Sequence, residues 1–221
     1  MIERPSPNHN ARPPDAPIDI LLMHYTGMET AEIALARLCD PAAQVSAHYT
    51  IDEDGSVYWH VPEDRRAWHA GKSFWAGETD VNGRSIGIEL VNPGHEFGYR
   101  AFPEAQMAAL IPLAQDIIAR HAIPAARVLG HSDVAPDRRQ DPGELFDWAR
   151  LAEAGIGLWP TATAERSTAD ARSMLARIGY DVTVGGVIAA FQRHFRPAKV
   201  DGVVDAETHA CLDALTAALD Y

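Results

Sequence analysis

Apolar residues recur along this chain in several rhythms, and each predicts a different element. Residues 18–23 (Ile-Asp-Ile-Leu-Leu-Met) form a short apolar run that stops at His24-Tyr25-Thr26-Gly27, the pattern of a buried strand. Ile86, Ile88 and Leu90 alternate within 85–91, a second strand pattern. Residues 47–51 and 56–61 predict two strands joined by Asp52-Glu53-Asp54-Gly55, where Asp-Gly signals a hairpin. Residues 126–129 predict one more short strand. A 3.6-residue rhythm marks helices at 29–38 (Ile33, Ala34, Leu38) and 104–121 (Met107, Leu110, Ile111, Ala114, Ile118). Pro112 inside the second is expected to kink it. A further helix falls near 145–154. Strands mixed with helices in this order indicate an α/β domain. Three short helices follow, at 167–178, 185–196 and 205–218, a small C-terminal three-helix unit. Between them 155–163 is rich in Gly, Pro and Thr. The expected division is an extended arm at 1–17, an α/β unit at 18–159, a linker at 160–166 and the helical unit at 167–221.

Two segments break these rhythms. Residues 62–84 hold Trp68, His69, Gly71, Phe74, Trp75 and Asn82 with little periodicity. Long irregular segments in compact domains are usually functional or disordered, and the aromatic content argues against disorder. Residues 130–143 follow a strand with a loop of Pro, Gly, Asp and Arg that is too irregular for a helix.

Composition narrows the possible functions. The chain has 221 residues, 47% of them hydrophobic and 23% charged, as in a soluble globular protein of one or two domains. A net charge of −12, most of it before residue 160, works against binding nucleic acid through phosphates. Cys39 and Cys211 lie far apart and are expected as two free thiols. No run is long enough to span a membrane. Residues 1–17 lack the apolar core of a signal peptide. A cytoplasmic location is therefore expected, with the periplasm or cell envelope as the alternative.

His24 ends a buried strand, where α/β proteins tend to place functional groups. His131 and Asp141 lie in the irregular loop and offer an imidazole nitrogen and a carboxylate oxygen, both suited to Zn²⁺. The loop must fold back to bring them together, and His24 is the best third ligand. Glu89 is a carboxylate in a strand whose other face carries Ile86, Ile88 and Leu90. It shares its own face with Gly87 and Val91, as on the floor of a cleft. Near a metal it could take a proton from a zinc-bound water. Arg138 and Arg139, next to Asp141, could face the oxyanion of a tetrahedral intermediate. His60 and His95 carry no signal of a role.

Taken together, several blocks resemble the zinc-dependent N-acetylmuramoyl-L-alanine amidases of the AmpD type, in the wider amidase-2 and peptidoglycan-recognition superfamily. The blocks are His24-Tyr25-Thr26, Ala47-His48-Tyr49, Asp54-Gly55, Trp68-His69-Ala70-Gly71, residues 85–92, Gly130-His131-Ser132-Asp133 and Asp141-Pro142-Gly143. Residues 167–221 resemble, over a shorter match, a peptidoglycan-binding three-helix domain, carried by Gly179-Tyr180, Ala190-Phe191-Gln192 and Val200-Asp201-Gly202-Val203. The resemblance implies a central mixed β-sheet flanked by helices. It implies zinc on His24, His131 and Asp141, and Glu89 as general base. Arg139 stands where these enzymes usually carry a lysine; arginine is effectively never deprotonated, so it would act as an electrostatic clamp. Arg138 is its neighbouring alternative. Tyr25, His48, Trp68, His69 and Asn92 would contact the sugar and peptide. The implied reaction is hydrolysis of the amide between N-acetylmuramic acid, possibly 1,6-anhydro, and L-alanine, in muropeptides or peptidoglycan. A recognition protein that only binds, or a lysis-type amidase, is the alternative; the first would tend to lack a zinc ligand, and all three are present here.

Overall fold

The computed structural model describes residues 1–160 and 169–219. Its centre is a six-stranded mixed sheet. In chain order the strands are β1 (Ile2–Glu3), β3 (Ile20–Tyr25), β4 (Tyr49–Ile51), β5 (Val57–Trp59), β7 (Ser85–Leu90) and β8 (Val128–Gly130). Across the sheet they run β1-β5-β4-β7-β3-β8. Strands β4, β7, β3 and β8 run parallel to one another, and the β4–β5 hairpin is antiparallel. A separate two-stranded sheet pairs β2 (His9–Ala11) with β6 (Arg65–Ala67).

The alternation of β3 and β7 decides what covers each face. Leu21, Met23, Ile86, Ile88 and Leu90 are fully buried on one side, against Met107, Leu110, Ala114 and Ile117 of the long helix α4 (Glu104–His121). That helix runs uninterrupted through Pro112. Ile20 and Leu22 face the other side and belong to a second cluster, with Trp75, Val81, Leu175, Tyr180, Phe191 and Leu212. Its partners come largely from α7 (Ala171–Ile178), α8 (Val187–Phe195) and α9 (Ala206–Ala218). The three C-terminal helices thus share a core with the sheet. The expected linker, beyond Pro160, and the first residues of the expected helix at 167–178 lie outside the described residues.

The remaining helices are short: α1 (Ala31–Cys39), α2 (Val81–Arg84), α3 (Gly94–Phe97), α5 (His131–Val134) and α6 (Trp148–Glu153). Side-chain caps fix several starts. Thr30, Asp80, Asp147, Asp170 and Asp205 each accept a backbone N–H of the first turn.

Three expectations need correction. The loop after β8 opens with a helical turn, α5, because the Asp133 carboxylate accepts the Gly130 N–H at 2.7 Å and closes the N-terminus. The irregular segment 62–84 contains β6 and α2. The N-terminal arm is strand-paired: β1 joins β5, and β2 joins β6. Arg12 then donates to the carbonyls of Glu63, Gly83 and Ser85 at 2.9, 2.9 and 2.8 Å, which ties the arm to the irregular segment. Cys39 and Cys211 are free thiols, as expected. Among the described residues no helix is long and apolar enough to cross a membrane.

Candidate metal centre

Strands β3, β7 and β8 are parallel, so their carboxyl ends reach the same edge of the sheet, the usual place for a ligand in such folds. His24 and Glu89 are register partners on adjacent strands and emerge side by side on the same face. His131 is the first residue after β8. The loop then folds back: Arg139 N donates to Ala135 O at 3.0 Å and Ser132 N to Asp141 O at 2.9 Å. The result is a triangle. His24 Nδ1, His131 Nδ1 and Asp141 Oδ2 lie 3.0 Å from one another in every pair. All three residues are buried, and they are the group among the described residues that could hold a metal ion.

The surroundings fix which ring nitrogens carry protons. Ser85 Oγ donates to the Val81 carbonyl at 2.7 Å, so it can only accept from His69 Nε2 at 3.2 Å. His69 Nδ1 is then an acceptor, and His24 Nε2–H donates to it at 3.0 Å. His131 Nε2–H donates to the Ala70 carbonyl at 3.0 Å. In neutral rings both Nδ1 atoms are then bare, and the third corner is a carboxylate oxygen. Three acceptors face each other with no hydrogen between them. Their lone pairs repel at this separation unless a cation is shared. Two neutral imidazoles and one carboxylate are also a donor set that Zn²⁺ accepts, with room left for water. The residues fit a divalent metal.

Electrostatics favours the same state. Burial, then the neighbouring His131, lowers His24 to about 4, so it is neutral near pH 7, as a ligand must be. Burial works to raise Asp141, but positive charge at the His131 and His24 corners outweighs it and holds the carboxyl well below its usual range. Burial and the charge of Asp141 push Glu89 well above the carboxylate range, and Arg139 partly offsets them. Glu89 Oε2 is buried and has no hydrogen-bond partner among the described residues.

These groups open into a cleft of about 440 Å³ lined by Tyr25, Trp68, His69, Glu89, Arg138 and Arg139 among others. The Arg139 side chain has no hydrogen bond or ion pair among the described residues, and its guanidinium is available to a ligand. Arg138 is tied down: Nε donates to the Lys72 carbonyl at 2.8 Å, and Nη2 reaches the carbonyls of Ala70 and Lys72. Tyr25 and Trp68 offer aromatic surface. Burial and Asp141 push the Tyr25 phenol up to about 12.

Two residues expected at the cleft wall do not line it. His48 is fully buried; its Nδ1 accepts the Gly87 N–H at 2.9 Å and its Nε2 contacts the Arg65 carbonyl and Arg12. Asn92 is also fully buried, donating to the Arg100 carbonyl at 2.8 Å and accepting the Gly94 N–H at 3.0 Å. Both hold backbone in place. His69 does reach the cleft, but both ring nitrogens are used behind His24. Conversely, His95 lines the cleft between the Tyr25 hydroxyl, 2.9 Å away, and Glu144, 3.2 Å away. Nothing in its sequence context marks it, because both partners are remote in the chain.

Known proteins share this sequence and fold. A family model described as N-acetylmuramoyl-L-alanine amidase matches residues 14–144. The N-acetylmuramoyl-L-alanine amidase AmiD of Escherichia coli is 44% identical, the match covering 90% of this chain and 82% of that protein. The 1,6-anhydro-N-acetylmuramyl-L-alanine amidase AmpD of Enterobacter cloacae is 36% identical over 66% of this chain and 86% of its own length. The solved structure of E. coli AmiD with the substrate anhydro-N-acetylmuramic acid-L-Ala-D-γ-Glu-L-Lys superposes with a TM-score of 0.82 at 40% identity, covering 94% of this chain and 92% of that one. AmpDh3 of Pseudomonas aeruginosa in complex with an anhydromuramic pentapeptide gives 0.81 at 32% identity, covering 91% and 92%. With the mixed sheet and the flanking helices shared with these enzymes, this chain belongs to the N-acetylmuramoyl-L-alanine amidase family.

Proposed function

We propose that the chain is a zinc hydrolase that cleaves the amide between the lactyl group of N-acetylmuramic acid and L-alanine in muropeptides. The observation that carries the metal assignment is the convergence of three ligand-type atoms, His24 Nδ1, His131 Nδ1 and Asp141 Oδ2, at 3.0 Å from one another. Zn²⁺ held there supplies Lewis-acid polarisation of the scissile carbonyl and acidifies a water.

The chain's own residues do the rest. Glu89 takes a proton from the attacking water. Its raised affinity for protons suits a group that must accept one near neutral pH, and its partnerless Oε2 is free for the task. Arg139 stays protonated throughout and faces the negative oxygen of the tetrahedral intermediate. Because Arg139 cannot give up a proton, Glu89 returns the one it took to the leaving amine. The C–N bond then breaks, leaving the muramic carboxylate and a stem peptide with a free N-terminus. Tyr25, Trp68 and Arg138 form the wall that orients sugar and peptide.

Soluble anhydro-muropeptides, as in the AmiD and AmpDh3 complexes, are the substrate class this cleft is proposed to take. A cytoplasmic site of action goes with that choice. Turnover compared between a soluble anhydro-muropeptide and polymeric sacculi tests the substrate class, and fractionation of cells tests the compartment. The chemistry is tested by product mass and by Glu89→Gln. That variant is expected to bind zinc normally and to lose at least ~10²-fold in kcat. Near-normal turnover by the variant, or a cut within the stem peptide, overturns the assignment.

A further inference from the structure

The C-terminal helices meet the metal loop at a buried carboxylate. Asp133 lies two residues beyond His131 in α5 and is fully buried. Its Oδ2 accepts the Gly130 N–H at 2.7 Å and His194 Nδ1–H at 2.7 Å. Its Oδ1 accepts the Tyr180 hydroxyl at 2.6 Å. Two of these three donors come from the helical unit: Tyr180 just after α7, and His194 on α8. Both are buried, at 2% exposure each. Packing fixes their rings. Tyr180 meets Trp75 edge-on at 4.9 Å, and His194 stacks on Trp148 at 3.8 Å. Around them Ala76 N donates to the Gly179 carbonyl at 2.8 Å, and a Cβ on Gly186 would come within 2.3 Å of the Pro136 carbonyl oxygen. The contact is close along its whole length.

A single helical turn has little stability of its own, because nucleation fixes several residues for one hydrogen bond. The turn that aims His131 is such a turn. A buried carboxylate without donors is costly and would turn toward water, taking the turn with it. We propose that the C-terminal helices are a clamp on the metal loop, in which Tyr180 and His194 are positioning residues that act through Asp133 to hold His131 and Asp141 at ligating distance. The proposal rests on the metal-centre reading above and adds to it a role for the helical unit. A unit that served only to tether the enzyme to polymeric wall would leave metal affinity untouched. A clamp does not.

The test uses the full chain. Zinc affinity is measured by chelator competition, and the visible spectrum of the cobalt-substituted protein is recorded, below the melting temperature of every variant. Tyr180→Phe deletes one oxygen and keeps the ring. His194→Leu removes the second donor, and His194→Asn keeps a donor near the Nδ1 position. Gln192→Ala is the control. It disrupts hydrogen bonds to Asp201, Val203 and Thr208 inside the helical unit, none of which involves Asp133. Tyr180→Phe and His194→Leu are expected to weaken zinc binding about tenfold and to alter the cobalt spectrum. His194→Asn should recover part of the loss. Gln192→Ala should lower stability with affinity unchanged. Wild-type affinity and spectrum in folded Tyr180→Phe overturn the clamp, and this variant decides the matter if His194→Leu does not fold. Equal weakening by Gln192→Ala also overturns it. A wild-type protein that binds no zinc sinks the metal reading itself, which the same titration distinguishes.

Discussion

Replacing Gly87 by alanine tests the arrangement behind the metal ligands. Gly87 points to the same face as Glu89. A Cβ there would lie 2.5 Å from His69 Nδ1 and 2.7 Å from its Cε1 and Cγ. The ring cannot step aside. Its Nδ1 accepts from His24, its Nε2 donates to Ser85, and its backbone N–H is held by Asn82 Oδ1 at 3.0 Å. Overpacking a site of this kind costs about 1–3 kcal/mol. Displacing the ring also breaks the bond that holds the Nε2–H tautomer of His24. Loss of such an orienting partner weakens metal binding about 10–100-fold. Urea unfolding of the metal-free protein reads the first effect, and chelator competition reads the second. Adding His69→Ala to Gly87→Ala makes room for the methyl group. Stability should then recover in part, while zinc affinity stays low because the orienting imidazole is gone. A folded Gly87→Ala protein with wild-type zinc affinity would refute the idea that His69 orients His24.

Other outcomes are expected from the same geometry. Arg139→Ala should lower kcat ~10²–10³-fold with zinc affinity unchanged, as for a lost oxyanion donor, and Arg139→Lys should retain most of the activity; steady-state kinetics on a soluble muropeptide checks both. His48 gives a pH signature of stability. Burial, then the Arg12 charge, lowers it to about 3 from an ordinary 6.5, so it is neutral in the folded state. As pH falls from 6.5 toward 3 the unfolded chain takes up a proton that the folded one does not. Stability therefore falls in that window, by at most about 1.4 kcal/mol per pH unit for this group. His48→Gln should flatten that limb in urea titrations across pH, and an unchanged slope contradicts the argument.

The parts of this molecule legible in its sequence share a physical cause. Residues 20–23 reveal their strand as an unbroken apolar run because both its faces are buried, and Ile86, Ile88 and Leu90 reveal theirs by alternation. His24 and Glu89 stand out as polar residues at the carboxyl ends of apolar parallel strands. The triangle's third corner, Asp141, could be guessed only from residue chemistry, since the return of the loop is made by backbone hydrogen bonds that any residues could form. The turn α5 escaped because its cap is the tertiary placement of Asp133. His48 and Asn92 sit in motifs beside the cleft, and nothing local says that their side chains point into the protein. Ser85 and Gly87 read as ordinary strand residues until His69, sixteen and eighteen positions earlier, is seen between them and His24. The docking of α7 and α8 on the sheet leaves no pattern in either partner, because an amphipathic helix shows which face is apolar and not what it meets.

X-ray absorption at the zinc edge, on protein loaded with one equivalent, bears most directly on the central claim. The account predicts one bound ion per chain with two imidazole nitrogens and a carboxylate oxygen at about 2.0–2.2 Å, and loss of that signature in His24→Ala, His131→Ala and Asp141→Ala. An active enzyme whose zinc keeps the same ligand set in any of those three variants would contradict it.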